Sequence, residues 1–240
     1  MIQNFFFSIS LINLVLTILA WAIIGYLVFH FYKKRQEKPK VWKVVLTLLI
    51  GLFSFSLNWY IFDEIVRIPI LPLGVWILYL FFRGKENNWT KYRPYAWIGF
   101  FANFIFLITY FVSIPIQHFI YPPDKPSTYL SNIEDTSIVV THPSGKKSLL
   151  NKKSLLSQLP TMKEENFFSD TWYDETFMKY DRKTMKERFP YQLHGASAKW
   201  GSGLSYVINI EKDGKGILIS TTHKQYYFRS NQTFMMKGGE

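Results

Sequence analysis

The chain has 240 residues, 48% of them hydrophobic and 19% aromatic, with 28 Lys and Arg against 17 Asp and Glu and no cysteine. The missing thiols exclude disulfides, thiolate metal sites and cysteine nucleophiles. The formal net charge of +11 would suggest a nucleic-acid partner if it lay on one soluble face, but the excess positive charge falls in short breaks between apolar runs, as it does in membrane loops.

Residues 1–121 hold 11 Lys and Arg and 4 Asp and Glu; residues 122–240 hold 17 and 13. The chain therefore has an oily half followed by one of ordinary soluble composition. From Ile2 to Tyr32 there is no charged side chain. About 20 apolar residues cross a hydrocarbon core of roughly 30 Å, so this run predicts a first spanning helix. The start "MIQNFFF" lacks the basic residues of a cleaved signal. Val44–Phe62 reads as a second span, bracketed by Trp42 and Trp59–Tyr60. Ile68–Phe82 reads as a third, short and interrupted by Pro69 and Pro72, and Tyr95–Tyr121 as a fourth.

Loop charges orient these spans, because Lys and Arg are retained on the cytoplasmic side. Six lie between Lys33 and Lys43, only Arg67 in the second loop, and four between Arg83 and Arg93. That alternation predicts loops 33–43 and 83–94 in the cytoplasm and both termini outside. A re-entrant third segment would place the second basic cluster outside, against the rule.

"YPPDKPSTY", Tyr121–Tyr129, cannot continue a helix and reads as a proline-rich linker over 122–130. Beyond it, Thr136–Val140 predicts a strand, "HPSG" a turn, and "KKSLLSQLP" a brief helix stopped by Pro160. Thr171–Arg188 predicts a longer helix, with acids early and bases late to complement its dipole. "SYVINIE", "GILIST" and "KQYYFRS", the first two joined by "KDGKG", predict a C-terminal β-meander.

The oily half carries no ionisable group at mid-depth. Asp63, Glu64 and Arg67 in the outer loop, with His118 near the outer end of the last span, are the one set that could form an outward-facing catalytic cluster. In the soluble half, Ser144–Lys147 matches Ser-x-x-Lys, but within a Pro-Ser-Gly turn and without the partner motifs that chemistry needs. His142, His194 and His223 are scattered, with no ligand spacing for a metal. The acidic aromatic run Glu164–Glu175 holds Trp172, and its Asp170 and Asp174, one helical turn apart, could reach a single cation. "LHGASAKWGSG", Leu193–Gly203, is a small-residue loop carrying His194 and Trp200, the kind of segment that recognises partners.

The sequence thus predicts a bacterial, multi-pass cell-membrane protein. Its fold would be a membrane all-α domain of four transmembrane helices (1–121) plus a small extracytoplasmic α+β domain (131–240). The expected function is display of that domain for binding an envelope protein or peptide partner, through Trp200, His194 and Trp172. No metal, cofactor or nucleic acid is expected. The alternative is an outward-facing hydrolase or transferase acting on lipid or cell-wall precursors.

Overall fold

The computed structural model describes residues 10–61, 64–84, 88–167, 172, 187–222 and 224–237. They fall into two compact units: Leu11–Ile116, and Ser10 together with the chain from Gln117 onward.

The first unit begins with α1 (Leu11–Lys33) and closes on α4 (Asn88–Ile120), whose last turn belongs to the second unit. Between them run α2 (Val41–Gly51), β1 (Phe55–Ile61), β2 (Glu64–Leu71) and α3 (Leu73–Phe82). Among the described residues, only α1, of 23 residues, and α4, of 33, are long and apolar enough to cross a membrane. The expectation of four transmembrane helices is therefore corrected: two of the four predicted spans have the length and apolarity for it, and the other two do not. The predicted second span is a helix only as far as Gly51, and the predicted third is a strand up to Leu71. At 1.5 Å per residue, α2 and α3 rise about 16 Å, half of what a bilayer requires. The chain leaves the helix because Phe55-Ser-Leu-Asn-Trp59 alternates apolar and polar residues with the period of a strand. Pro72, at the N-cap of α3, starts the return.

Within this unit the break is supported by hydrogen bonds. The Asn103 side-chain amide donates to the Leu52 carbonyl, just past the end of α2, at 3.0 Å. The Gly74 N–H donates to the Phe53 carbonyl at 2.7 Å. Both carbonyls would otherwise be orphans at a helix end. The core is layered along α4. Val44 meets Tyr92 and Tyr95, Leu48 meets Ile24 and Ala102, and Val75 and Leu78 meet Ala96 and Phe100. Arg35 donates to the Thr90 carbonyl and Lys91 pairs with Glu37, so the basic ends of α1 and α4 lie side by side.

The second unit is built on a six-stranded antiparallel sheet, larger than a meander but compatible with the expected helix-plus-sheet layout. Its strands are β3 (Ser137–Val140), β5 (Lys163–Glu165), β6 (Tyr191–His194), β7 (Tyr206–Ile210), β8 (Gly216–Thr221) and β9 (Gln225–Arg229). They stand in the order β3-β6-β7-β8-β9-β5. A separate pair joins β4 (Ser148–Leu150) to β10 (Met235–Lys237). Alternation divides the central strands between two faces. Ile208, Ile210, Ile217, Ile219 and Phe228 face a core shared with Leu155 of α6 (Lys152–Gln158) and Tyr129 of α5 (Pro126–Tyr129). Leu218 and Tyr227, opposite each other in register, face Phe167, Trp172 and Phe189. The segment read as a linker thus contains α5, and Tyr129 is fully buried. Except for Trp172, Glu187 and Arg188, the predicted helix Thr171–Arg188 lies outside the described residues.

Candidate functional site

β6 ends at His194 and β7 starts at Tyr206, and the loop joining them bounds a cavity of about 600 Å³ in the second unit. Gln192, His194, Lys199, Trp200, Ser202 and Tyr206 are among the residues that line it. The loop is held by its backbone rather than by a core of its own. The Ser197 N–H and carbonyl bond to Asn132, and the Lys199 N–H donates to the Thr128 carbonyl at 2.9 Å. The Tyr206 hydroxyl donates to the carbonyls of Tyr129, at 2.8 Å, and Ala196, at 3.3 Å. Two further bonds tie the loop to the end of α4. The Gln117 amide donates to the Ser202 carbonyl at 2.5 Å, and the Tyr121 hydroxyl to the Trp200 carbonyl at 3.0 Å. Gly203 lets the loop lie close against Ser10: its φ is +66°, and a Cβ there would stand 2.6 Å from the Ser10 nitrogen.

Trp200 is 83% exposed although its backbone is fixed. The indole is thus presented to solvent on a fastened loop and takes no part in a core. His194 is exposed, with Nε2 3.0 Å from the Gln192 Oε1. The cavity therefore offers amide and imidazole hydrogen-bonding groups beside an aromatic ring. Among the described residues, no three His, Asp or Glu side chains gather as a set that could hold a metal.

Burial pushes the Tyr206 hydroxyl up to about 12 and raises that of Tyr129 as well. The unfolded chain releases those protons near pH 10, while the folded chain keeps them. The stability they contribute is thus fully present below pH 10 and is lost as pH rises towards 12. Thermal unfolding of the detergent-solubilised chain, followed by its β-sheet circular dichroism from pH 9 to 12, should show the melting temperature falling above pH 10. Tyr206→Phe should flatten that fall. A pH-independent midpoint over this range would contradict the assignment.

The other residues singled out in the sequence are dispersed. Trp172 is half-buried: its indole N–H donates to the Glu187 carboxylate at 2.9 Å, and its ring packs against Phe167 and Phe189. Arg67 lies on β2 and lines a smaller cavity of the first unit, of about 380 Å³, with Ser56, Asn103 and Tyr110. Glu64 opens β2 opposite Ile61, while its side chain and all of Asp63 lie outside the described residues. His118 is exposed on the last turn of α4, in the second unit, whereas Arg67 belongs to the first. His142 bonds through Nδ1 to the hydroxyl and backbone N–H of Ser144, closing the turn in which that serine sits. Asp170, Asp174 and His223 lie outside the described residues.

Sequence reasoning missed a charged cluster on the sheet. The Glu211 carboxylate receives Arg188 at 2.8 Å, the Tyr227 hydroxyl at 2.6 Å, and Arg229. Arg229 also reaches Asp213 at 2.6 Å, and the Arg188 guanidinium lies 4.9 Å from the centre of the Tyr227 ring. The available clue was the pair of charged residues flanking β7 and β9, which the β7–β8–β9 register brings together.

No family model matches the chain, and neither curated proteins nor solved structures give a match.

Proposed function

We propose that the chain is a membrane protein whose second unit lies outside the cell and binds a protein or peptide partner of the envelope. The cavity bounded by the β6–β7 loop, with exposed Trp200 and His194 at its wall, is the observation that carries this reading. Its groups suit recognition: donors, acceptors and a flat ring, with the His194 Nε2 3.0 Å from the Gln192 Oε1.

The orientation rests on charge. The basic ends of α1 and α4 are adjacent, and Lys33, Lys34, Arg35, Lys91 and Arg93 lie there. Retention of positive charge puts that end in the cytoplasm and the opposite end of α4, from which the second unit continues, outside. Because the chain is free of cysteine, Lys147→Cys should label with an impermeant thiol reagent on intact cells, and Lys38→Cys should not. The reverse pattern would overturn the orientation.

The binding reading is tested separately from the enzymatic one. Replacing His142, His194 and His223 together with Gln, whose amide keeps a hydrogen-bonding group at position 194, should leave complementation of a deletion strain intact. A folded, inserted triple variant that lost activity by the roughly 10²–10⁴-fold typical of a missing general base would favour a hydrolase or transferase. A photocrosslinker at His194 should capture a partner in native membranes, and one at Lys153, on α6, should not. Identical products from both positions, or none from His194, would refute the site.

A further inference from the structure

We infer that the loop Gly195–Ser205 is a membrane-interface anchor, with Trp200 and Phe119 seated among the lipid headgroups, so that the cavity beside it opens at the bilayer surface. This rests on the reading of α4 as a spanning helix. The argument starts from two side chains that folding leaves unused. Phe119 is 89% exposed and Trp200 83%, the two most exposed large apolar side chains among the described residues of this unit. Ile120, next to Phe119, is 46% exposed. They are far apart in sequence but structurally fastened: Tyr121 holds the Trp200 carbonyl and Gln117 holds the Ser202 carbonyl. The loop tip is thus fixed at the level of the last turn of α4.

That level is set by the helix. From Tyr95 to Ile116, α4 has no charged side chain, and at 1.5 Å per residue this stretch rises about 33 Å, matching a hydrocarbon core. Residues just past it, 117–121, therefore stand at the boundary where Trp and Tyr rings are enriched. Trp200 is brought to that boundary from a strand connection, and Lys199 beside it places an ammonium where lipid phosphates lie. Phe119 and Ile120 of the last turn thus stand with Trp200 of the loop at that boundary. In water, these exposed rings would be a standing cost; in the interface, they fix how the sheet is held over the bilayer. The partner of the cavity is consequently met at the membrane surface.

Single-cysteine variants in this cysteine-free chain give the test. Ile108→Cys, Phe119→Cys, Trp200→Cys and Lys147→Cys would each carry an environment-sensitive fluorophore, in phosphatidylcholine–phosphatidylglycerol vesicles doped with shallow or deep spin-labelled lipid. Lys147 is the control, since it lies beyond the Val140 end of β3 whereas the loop leaves from the Ser137 end. The label at 108 should be quenched most by the deep lipid, those at 119 and 200 by the shallow lipid, and that at 147 by neither. Shallow quenching at 200 should exceed that at 147 by at least about twofold, as an interfacial ring requires. Quenching at 108 with none at 200 would overturn the anchor and leave the spanning helix standing. No quenching at 108 would overturn the membrane reading itself.

Discussion

Glu211→Ala should speed hydrogen exchange of the β8 and β9 amides by about 100-fold, corresponding to roughly 3 kcal/mol at 1.4 kcal/mol per tenfold. The side chain is 12% exposed and receives two guanidinium groups and a tyrosine hydroxyl. Removing one partner of a buried ionic group typically costs 3–5 kcal/mol, because the remaining charges stay desolvated. Here Arg188 and Arg229 are 43% and 33% exposed, so water screens part of that loss and the lower figure applies. Arg229 keeps Asp213, whereas Arg188, among the described residues, is left stacked on aromatic rings without a carboxylate. Glu211→Gln retains the acceptor and should lose about half as much. Exchange unchanged in Glu211→Ala would mean that the cluster is an exposed ornament of the sheet.

Gly99→Val should destabilise the first unit by about 3 kcal/mol, at the upper end of the usual cost of forcing extra atoms into a packed interface. A Cβ at Gly99 would run into the Leu48 carbonyl and stand 2.9 Å from the Gly51 Cα. Gly51 in turn abuts the Ala96 carbonyl, so α2 and α4 touch backbone to backbone through small residues. Neither helix can yield easily, because the Asn103 bond to Leu52 fixes their register. Gly25→Val on α1 is the matched control, since nothing lies within 4 Å of a Cβ there. The Gly99 variant should aggregate at a lower temperature in detergent and the Gly25 variant should not. Equal behaviour would show that the close approach is dispensable.

The parts of this fold that were legible in sequence are those where one physical signal acts alone. Lys33–Lys43 is charged whatever surrounds it, and "KDGKG" between two β-branched runs marks a hairpin whose Gly214 has a φ of +69°. Val44–Phe62 was misread because two signals compete there. Its apolarity satisfies a span, while the alternation from Phe55 onwards satisfies a strand, and in the fold the strand period prevails. At the site, Trp200 could be picked out as an aromatic in a glycine-rich loop. Its fastening could not, because Tyr121 lies 79 positions earlier in the chain and the contact is made only by the fold. The Glu211 cluster was hidden in the same way: its members are individually ordinary charges near turns.

The β1–β2 hairpin is a two-stranded sheet, and Asn103, Phe106, Leu107 and Tyr110 of α4 share a cavity with it, which sets it beside the apolar middle of that helix. Pro69, opposite Ser56, has no N–H to give β1, so alternation turns the N–H groups of Ser56, Asn58 and Tyr60 away from the hairpin on one edge. Those of Ile65 and Arg67 turn away on the other. Acyl chains offer these groups no acceptor, and each one left dry costs several kcal/mol. On the proposed membrane reading, the two seams of the hairpin are therefore where water or another polypeptide, rather than acyl chains, would meet the first unit.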